Sequence, residues 1–319
     1  MLSRTADHLF WMARYTERAE NTARMLDVTF QTALLPQSEE SAEQGWRAVL
    51  GISELQAAYD KKYPVVLAAD VIDFMVRDPD NPSSIVACLT AARENARAVR
   101  GTLTTEVWET QNATWLELKT LLQSTVLKED PSNFFEWVKY RSHLSRGVGM
   151  GTMLRDEAFS FIRLGTFLER ADNTARMLDI KFHGADKGEV NEQEKADDYY
   201  YWAAILRSVS AFEVYRKVYR DVITPRRVAE LLILRADMPR SLHACMEEVI
   251  INLKDLSNRS SADTERLAGK MLAELQFSRI EEVLEAGLHG YLERFFEQIF
   301  KLGNGISQDF LVPLIDNNN

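Results

Sequence analysis

The sequence predicts an all-α protein. Gly and Pro, the residue types that most often interrupt regular structure, number only 14 and 8 among 319 residues. Ala, Leu, Glu and Arg, which favour helices, fill the long stretches between them. Apolar residues recur in these stretches every three or four positions, and we find no run with the two-residue alternation of a strand.

The composition also limits the class of protein and its partners. A hydrophobic content of 46% with 27% charged residues is typical of a soluble globular protein. The net charge of −10 argues against a nucleic-acid partner, because phosphate binding requires clustered Lys and Arg. We see neither a signal peptide nor an apolar run long enough to cross a membrane, and therefore expect a cytoplasmic protein. In a reducing cytosol, Cys88 and Cys245 are expected to be buried thiols rather than a disulfide.

A motif of eleven residues occurs twice. ERAENTARMLD occupies residues 17–27, and ERADNTARMLD occupies residues 169–179, which is 152 positions later. One position differs, where Asp172 replaces Glu20. Two later pairs of similar segments keep the same order, WRAVL with WAAIL at an offset of 156 and PSSIVAC with PRSLHAC at 157. Three matches in one order imply an ancient internal duplication.

We therefore expect one domain, residues 1–319, built as a multi-helix bundle of two repeats related by a pseudo-twofold axis. The repeats would span about residues 1–150 and 151–319, with the seam near RGVGMGTM, residues 146–153. Glycine-rich loops can bind phosphate through backbone N–H groups. Here the glycines follow a helical stretch rather than a strand, so a hinge or close helix packing is the expected role and a phosphate site is the alternative.

Each half is predicted to begin with a long helix, at about residues 3–34 and 152–183. A second helix carries the aromatic residues that match between the halves, and a shorter third helix follows at about 65–77 and 225–236. The matching aromatic residues are Trp46 and Tyr59 in the first half and Trp202 and Tyr215 in the second. Helix starts are indicated by Ser41 and by Thr224 followed by Pro225. Breaks are predicted at 78–84, 128–133 and 183–189, and a frayed polar tail at 316–319.

The repeated motif predicts a helix with a buried polar stripe. At about 100° per residue, Glu17, Asn21 and Arg24 share one face with apolar residues, and the opposite face is also apolar. Such a helix is expected to lie centrally. A buried carboxylate needs a cationic partner, and Arg24 and Arg176 lie four residues after Glu20 and Asp172, which is the spacing of a helical ion pair.

If the two motif helices pack against each other, their polar residues meet. Ala13 and Gly165, one turn before each motif Glu, would allow another backbone to come close. A structural polar core is the main interpretation, and a site for a polar ligand or acid–base chemistry is the alternative. Metal is disfavoured because the Glu-x-x-His pattern of di-iron bundles is absent and the motif Arg residues supply positive charge. We expect neither metal nor cofactor. The candidate residues are Arg4, Arg14, Glu17, Glu20, Asn21, Arg24, Glu169, Asp172, Asn173 and Arg176.

Outside the motif, few residues suggest chemistry. The five histidines show no paired spacing, and there is no GxSxG nucleophile motif. Trp108 and Trp115 could form a pocket wall, although core packing is the expected role.

Three longer segments carry a resemblance to a known family. They are LSRTADHLFWMARYTERAE at residues 2–20, AARENARAVR at 91–100 and FIRLGTFLERADNTARMLD at 161–179. Through these segments the chain resembles the bacterial alpha-E proteins, an all-helical family long catalogued as a domain of unknown function. The resemblance implies that the signature positions are Ser3, Arg4, Trp11, Arg14, Glu17, Arg18, Glu20, Glu169, Arg170, Asp172 and Arg176.

The resemblance also implies partners. Alpha-E proteins are typically encoded beside, and sometimes fused to, a circularly permuted ATP-grasp ligase, often with a transglutaminase-like peptidase close by. We therefore expect an accessory helical partner of a ligase that forms amide bonds, and the absence of a nucleotide-binding motif assigns the ligase chemistry to that partner. The alternative is an enzyme in its own right that uses Glu17 or Glu169 as general acid or base on a peptide or amino acid derivative.

Overall fold

A computed structural model describes residues 1–182 and 192–311, and its secondary structure in this part is helical, as the sequence predicts. None of the helices in this part combines the length and apolar character needed to cross a lipid bilayer. The helices are α1 (Ser3–Ala33), α2 (Glu39–Ile52), α3 (Gln56–Asp60), α4 (Ala68–Arg77), α5 (Ile85–Ala98), α6 (Thr105–Gln123), α7 (Val126–Glu129), α8 (Pro131–Thr152), α9 (Glu157–Phe182), α10 (Glu192–Ser208), α11 (Phe212–Tyr219), α12 (Pro225–Ile233), α13 (Leu242–Asp255), α14 (Ala262–Phe277), α15 (Ile280–Glu285) and α16 (Leu288–Phe310).

The two motif helices, α1 and α9, form the centre of the molecule and pack against each other. Helices α5 and α8 pack on α1, and α6 packs on both of them. Helices α13 and α16 pack on α9, and α14 packs on both of those in turn. Residues on the apolar faces of α1, such as Leu9, Ala19 and Leu26, are fully buried, which confirms the predicted central position of this helix.

The backbones of α1 and α9 touch at the small residues that precede each motif Glu. A methyl group in place of the Gly165 hydrogen would overlap the Phe10 carbonyl oxygen and would lie 3.3 Å from Cβ of Ala13. Only glycine fits at this point of the crossing. The prediction that Ala13 and Gly165 permit a close backbone approach is therefore confirmed.

The predicted second helix of each half is two helices, with the Trp on the first and the Tyr on the second. Glu54 separates α2 from α3 in the left-handed conformation, with φ of 55°, and Ser210 separates α10 from α11 with φ of 53°. A left-handed residue ends a helix because it redirects the chain. After each break a tyrosine is fully buried, and the hydroxyl of Tyr59 donates to the Val65 carbonyl at 3.1 Å.

One of the two predicted helix starts is correct. Thr224 caps α12 as predicted, since its hydroxyl accepts from the Arg227 N–H at 3.4 Å and Pro225 is the first helical residue. The predicted cap at Ser41 is wrong by one turn. Ser38 caps α2, and its hydroxyl accepts from the Ser41 N–H at 3.1 Å.

The predicted breaks at 78–84 and 128–133 are both present, although the second narrows to Asp130, which lies between α7 and α8. The predicted break at 183–189 and the predicted tail at 316–319 lie outside the described residues. Helix α9 begins at Glu157 rather than near residue 152 because the preceding residues form the turn after α8.

The three alternating glycines lie in the last turns of α8 rather than in a loop. A methyl group at Gly147, Gly149 or Gly151 would meet no atom within 4 Å. The expectation of close packing is therefore wrong, because these glycines leave open space beside the helix. The alternative of a phosphate site is wrong as well. It required a loop with free backbone N–H groups, whereas the N–H groups of these glycines lie within helix α8 and point along its axis.

Candidate functional site

The Glu–Arg dipeptide at the start of each motif copy joins the two central helices reciprocally. Glu17 on α1 accepts from Nε and Nη2 of Arg170 on α9, both at 2.9 Å. In the other direction, Nε and Nη2 of Arg18 donate to Glu169 at 2.6 and 3.1 Å. Arg14 Nε adds a further bond to Glu169 at 2.7 Å. Bidentate guanidinium–carboxylate pairs are strong and directional, so these residues fix α1 relative to α9.

Glu17 also binds arginines from outside the motif. Nη1 of Arg240, just before α13, lies 2.9 Å from its Oε1, and Nη1 of Arg146, on α8, lies 3.0 Å from its Oε2. Arg240 reaches Asn21 Oδ1 at 3.0 Å and Glu20 Oε1 at 2.5 Å as well. Glu17 is 1% exposed. Both of its oxygens are thus engaged by guanidinium groups in the core of the protein.

Glu20 is the second acid of this network. Arg24 Nε donates to it at 2.8 Å, which confirms the predicted pair of the first copy. The Ser142 hydroxyl donates to it at 2.7 Å, and Arg146 Nη1 contacts the same oxygen, Oε2. His143, which is largely exposed, places Nε2 3.5 Å from Oε1. Helix α8 therefore covers the first motif copy from one side.

The second motif copy is partly open to solvent. Arg176 and Asp172 form the predicted pair at 2.8 Å, with 28% and 21% of their side chains exposed. Asn173 is also only partly buried, and Arg176 reaches the exposed Glu54 at 2.5 Å. Beyond Glu169, the prediction of a buried stripe in the second copy is therefore wrong, because no arginine equivalent to Arg146 or Arg240 covers it among the described residues.

The charges of the network set its protonation state. Burial raises the pKa of Glu169, but Arg14 and Arg18 more than offset this and hold it at about 2. Burial likewise raises the pKa of Glu17 and of Glu20. For Glu17 its arginine neighbours reverse the shift, and for Glu20 the neighbouring His143 and then the arginines lower the pKa well below its usual value. All three carboxyl groups are therefore ionised at neutral pH.

Of the predicted site residues in the first motif helix, Arg4 lies outside the network and Asn21 lies within it. Arg4 is exposed near the beginning of α1. Asn21 is buried and accepts from Arg240, while its Nδ2 has no hydrogen-bond partner within residues 1–182 and 192–311. The network assembles Arg14, Glu17, Glu20, Asn21, Arg24 and Glu169 from the predicted set.

The prediction missed Arg146 and Arg240, which lie on other elements and contact the motif only in the folded chain. Arg18 and Arg170 are signature positions of the resembled family, but the helical wheel placed them about 100° from the stripe. Their long side chains reach the neighbouring helix. The sequence does mark Arg240 as a difference between the halves. It follows the proline of PRSLHAC, and Ser83 stands at this position in the matching PSSIVAC.

The buried acids of this network have cationic neighbours. In the described part of the chain, no group of three or more His, Cys, Asp or Glu side chains is placed to hold a metal ion. The buried carboxylates are surrounded by guanidinium groups, which repel a cation.

Cys88 and Cys245 are free and buried, as expected, and burial raises the pKa of each thiol to about 12.

Comparison with known proteins bears on this site. The model of the Alpha-E family, described as a predicted alpha-helical domain with a conserved ER motif, matches residues 1–311. Uncharacterised proteins of Mycobacterium bovis and Mycobacterium tuberculosis are 27% identical over 316 residues, covering 90% of this chain and 34% of each relative. The chain thus spans about a third of the length of those relatives. No solved structure matches. With an ER dipeptide in each motif copy and a family match over almost its whole length, the chain belongs to the Alpha-E family.

Proposed function

We propose that this chain is a non-catalytic helical partner of an ATP-grasp ligase that forms amide bonds. The observation that carries the non-catalytic part is the engagement of Glu17 and Glu169 by guanidinium groups. A general acid must hold a proton at the working pH, and a general base works best with a pKa near that pH. Both glutamates have lowered pKa values and are held in bidentate pairs, so they serve better as structural anchors.

The identity of the partner comes from the resemblance to alpha-E proteins, which are encoded beside circularly permuted ATP-grasp ligases and often near a transglutaminase-like peptidase. The mycobacterial relatives support a partnership. The region similar to this chain is 34% of their length, so in those proteins it is joined to further polypeptide. A partner that uses ATP would place both proteins in the cytoplasm.

We further propose that the domain consists of two repeats, about residues 1–150 and 151–319, related by a pseudo-twofold axis. The order of the helices supports this organisation. Helices α4, α5, α6 and α8 begin 157 residues before α12, α13, α14 and α16, respectively. The packing of α5 and α8 on α1 also has its counterpart in the packing of α13 and α16 on α9.

Reciprocal contacts of the motif arginines support the same proposal. Arg24 Nη1 donates to the Ser210 hydroxyl at 2.6 Å, and Arg176 Nη1 lies 2.5 Å from Glu54 Oε1. Ser210 and Glu54 are both left-handed residues between corresponding helices. Arg24 and Arg176 therefore each bind the break in the opposite repeat. In this proposal the network holds the two repeats in one fixed arrangement, which a ligase could use as a docking frame.

Reconstitution tests the proposal. The chain and the ATP-grasp ligase encoded beside it are purified, mixed and analysed for complex formation, ATP turnover and amide products by mass spectrometry. We expect a complex and a change in turnover or product. No complex together with unchanged turnover would contradict the proposed partnership.

The Glu17→Gln variant separates this function from the enzymatic alternative. A structural network predicts a lower melting temperature, with activity of the complex lost in proportion to unfolding. An enzyme that uses Glu17 as acid or base predicts lost activity at an unchanged melting temperature. Glu43→Gln is the matched control, since Glu43 forms an exposed helical pair with Arg47 at 2.7 Å.

A further inference from the structure

A pocket beside the network is not used by the function proposed above. It has a volume of about 130 Å³ and lies between α1, α6, α8 and α9. We propose that this pocket binds a small apolar group that carries a carboxylate. The proposal concerns the isolated chain and does not depend on the ligase.

The walls of the pocket are mostly apolar. They are formed by Met12, Val107, Met153, Phe159, Ile162 and Phe167. An apolar cavity of about 150 Å³ in another protein holds one benzene molecule. The pocket therefore has room for one phenyl or branched alkyl group, and methionine side chains adapt readily to either shape.

The polar end of the pocket carries positive charge. Arg146 and Arg170 line it together with Glu17. Arg146 uses only Nη1 in its bonds to the network, and Arg170 uses only Nε and Nη2. Among the described residues, Nε and Nη2 of Arg146 and Nη1 of Arg170 have no hydrogen-bond partner. These N–H groups are donors of the type that binds a carboxylate.

The network around this end contains more guanidinium groups than carboxylates. Around Glu17 and Glu20, the guanidinium groups are those of Arg24, Arg146, Arg170 and Arg240, and these two glutamates supply the carboxylates. Unbalanced positive charge in a poorly solvated region favours the binding of an anion. A carboxylate next to Arg146 would reduce this imbalance.

A ligand can reach the pocket from the side of α8. Met150 lines the pocket and is 50% exposed, and Arg163 and Gly149 are partly exposed beside it. The apolar group would enter past Met150, which moves easily because its side chain is unbranched. The carboxylate would then meet Arg146, whose side chain is 28% exposed.

The corresponding place in the second repeat shows why the pocket is open, a step that rests on the proposed duplication. At the offset of 157 residues, Gly149 corresponds to Ile306 and Met153 to Phe310, and both counterparts are buried. Side chains thus fill that space, whereas a methyl group at Gly149 would meet no atom within 4 Å. The counterpart of Arg146 is Gly303, so the cation is missing there too.

Calorimetry and NMR on the full chain test the site. The probes are 4-methylpentanoate, its uncharged amide, and acetate, which has the charge without the apolar body. We expect 4-methylpentanoate to bind with a millimolar Kd, as suits so small a ligand, and to shift the methyl resonances of Met12, Met150 and Met153. The amide and acetate should bind at least about tenfold more weakly.

The Gly149→Ile variant fills the pocket in the way Ile306 fills its counterpart. It should weaken binding of 4-methylpentanoate at least about tenfold. Gly151→Ile is the matched control, because Gly151 lies on the same helix, has open space around it and does not line the pocket. That variant should bind like the wild type.

Several outcomes would overturn the proposal. They are no binding of 4-methylpentanoate, equal binding of the amide, or unchanged binding by Gly149→Ile. Equal loss in Gly151→Ile would also count against it, since the effect would then come from helix α8 as a whole. A dipeptide ending in leucine with a free carboxylate, compared with 4-methylpentanoate, distinguishes a peptide end from a free small acid as the source of the same chemistry.

Discussion

The two copies of the motif have nearly the same sequence but very different surroundings. In the first copy, the Glu20 side chain is 0% exposed and that of Arg24 is 10% exposed. In the second, the corresponding Asp172 and Arg176 side chains are 21% and 28% exposed. The local pair is the same at 2.8 Å, so the motif itself does not determine burial.

Residues outside the motif create the difference. Ser142 and Arg146 from α8 cover the first copy, together with Arg240, which lies just before α13. What the two copies share is the reciprocal exchange between each ER dipeptide and the other helix. The ER dipeptides are therefore the common structural element, and the later motif residues depend on their repeat.

The largest expected effect is the loss of stability in Glu17→Gln, which should exceed the loss in Glu169→Gln. Glu17→Gln leaves Arg170 and Arg240 buried without this anionic partner and should reduce the free energy of unfolding by about 3–5 kcal/mol. Glu169→Gln should have a smaller effect, about 1–3 kcal/mol, because Arg14 and Arg18 are 18% and 28% exposed and regain water. Urea denaturation measures both, with Glu43→Gln as the surface control. Equal losses of unfolding free energy in the two variants would contradict the proposed difference between the buried and the partly exposed arginines.

The next largest effect is a loss of stability at low pH, caused by protonation of Glu169. The Glu169 pKa lies at about 2 in the folded protein, below its ordinary value of 4.5. A lowered carboxyl pKa stabilises the fold at pH values above 4.5, and that stability is lost as the pH falls from 4.5 towards 2. The expected loss from this one group is about 3 kcal/mol. Melting temperatures recorded across this range should fall less steeply for Glu169→Gln than for the wild type, and parallel curves would contradict this assignment.

The smallest expected loss of stability is at the partly exposed Asp172–Arg176 pair of the second copy. Asp172→Asn should reduce the free energy of unfolding by only about 0.2–1 kcal/mol, since the Asp172–Arg176 pair is partly solvated. The matched change in the buried copy, Glu20→Gln, should cost several times more. High salt should reduce the Asp172→Asn effect further because it screens exposed charges. A loss as large as that of Glu20→Gln would show that exposure does not control these pairs.

Much of the fold was predictable because it depends on local patterns. Helical periodicity and the scarcity of Gly and Pro indicated the all-α class, and the two-sided apolar surface of α1 indicated its central position. The pairs Glu20–Arg24 and Asp172–Arg176 were predictable because the spacing on one helix determines the contact.

Other features depend on tertiary contacts that one segment does not encode. Glu54 and Ser210 adopt left-handed conformations although neither is Gly or Asn, so no turn signal marked these breaks. Arg146 and Arg240 reach Glu17 only through the packing of α8 and α13. The pocket depends on an empty space beside Gly149, and periodicity carries no information about empty space.

The bond between Arg240 and Glu17 joins residues 223 positions apart, which has a consequence during synthesis on the ribosome. At about 5–20 residues per second, the ribosome needs roughly 10–45 s between making Glu17 and making Arg240. During that interval the acids of α1 lack one of their cations and are more stable in water than in a closed core. The first half is therefore expected to remain loosely assembled, and vulnerable to proteases, until the chain past residue 240 has emerged.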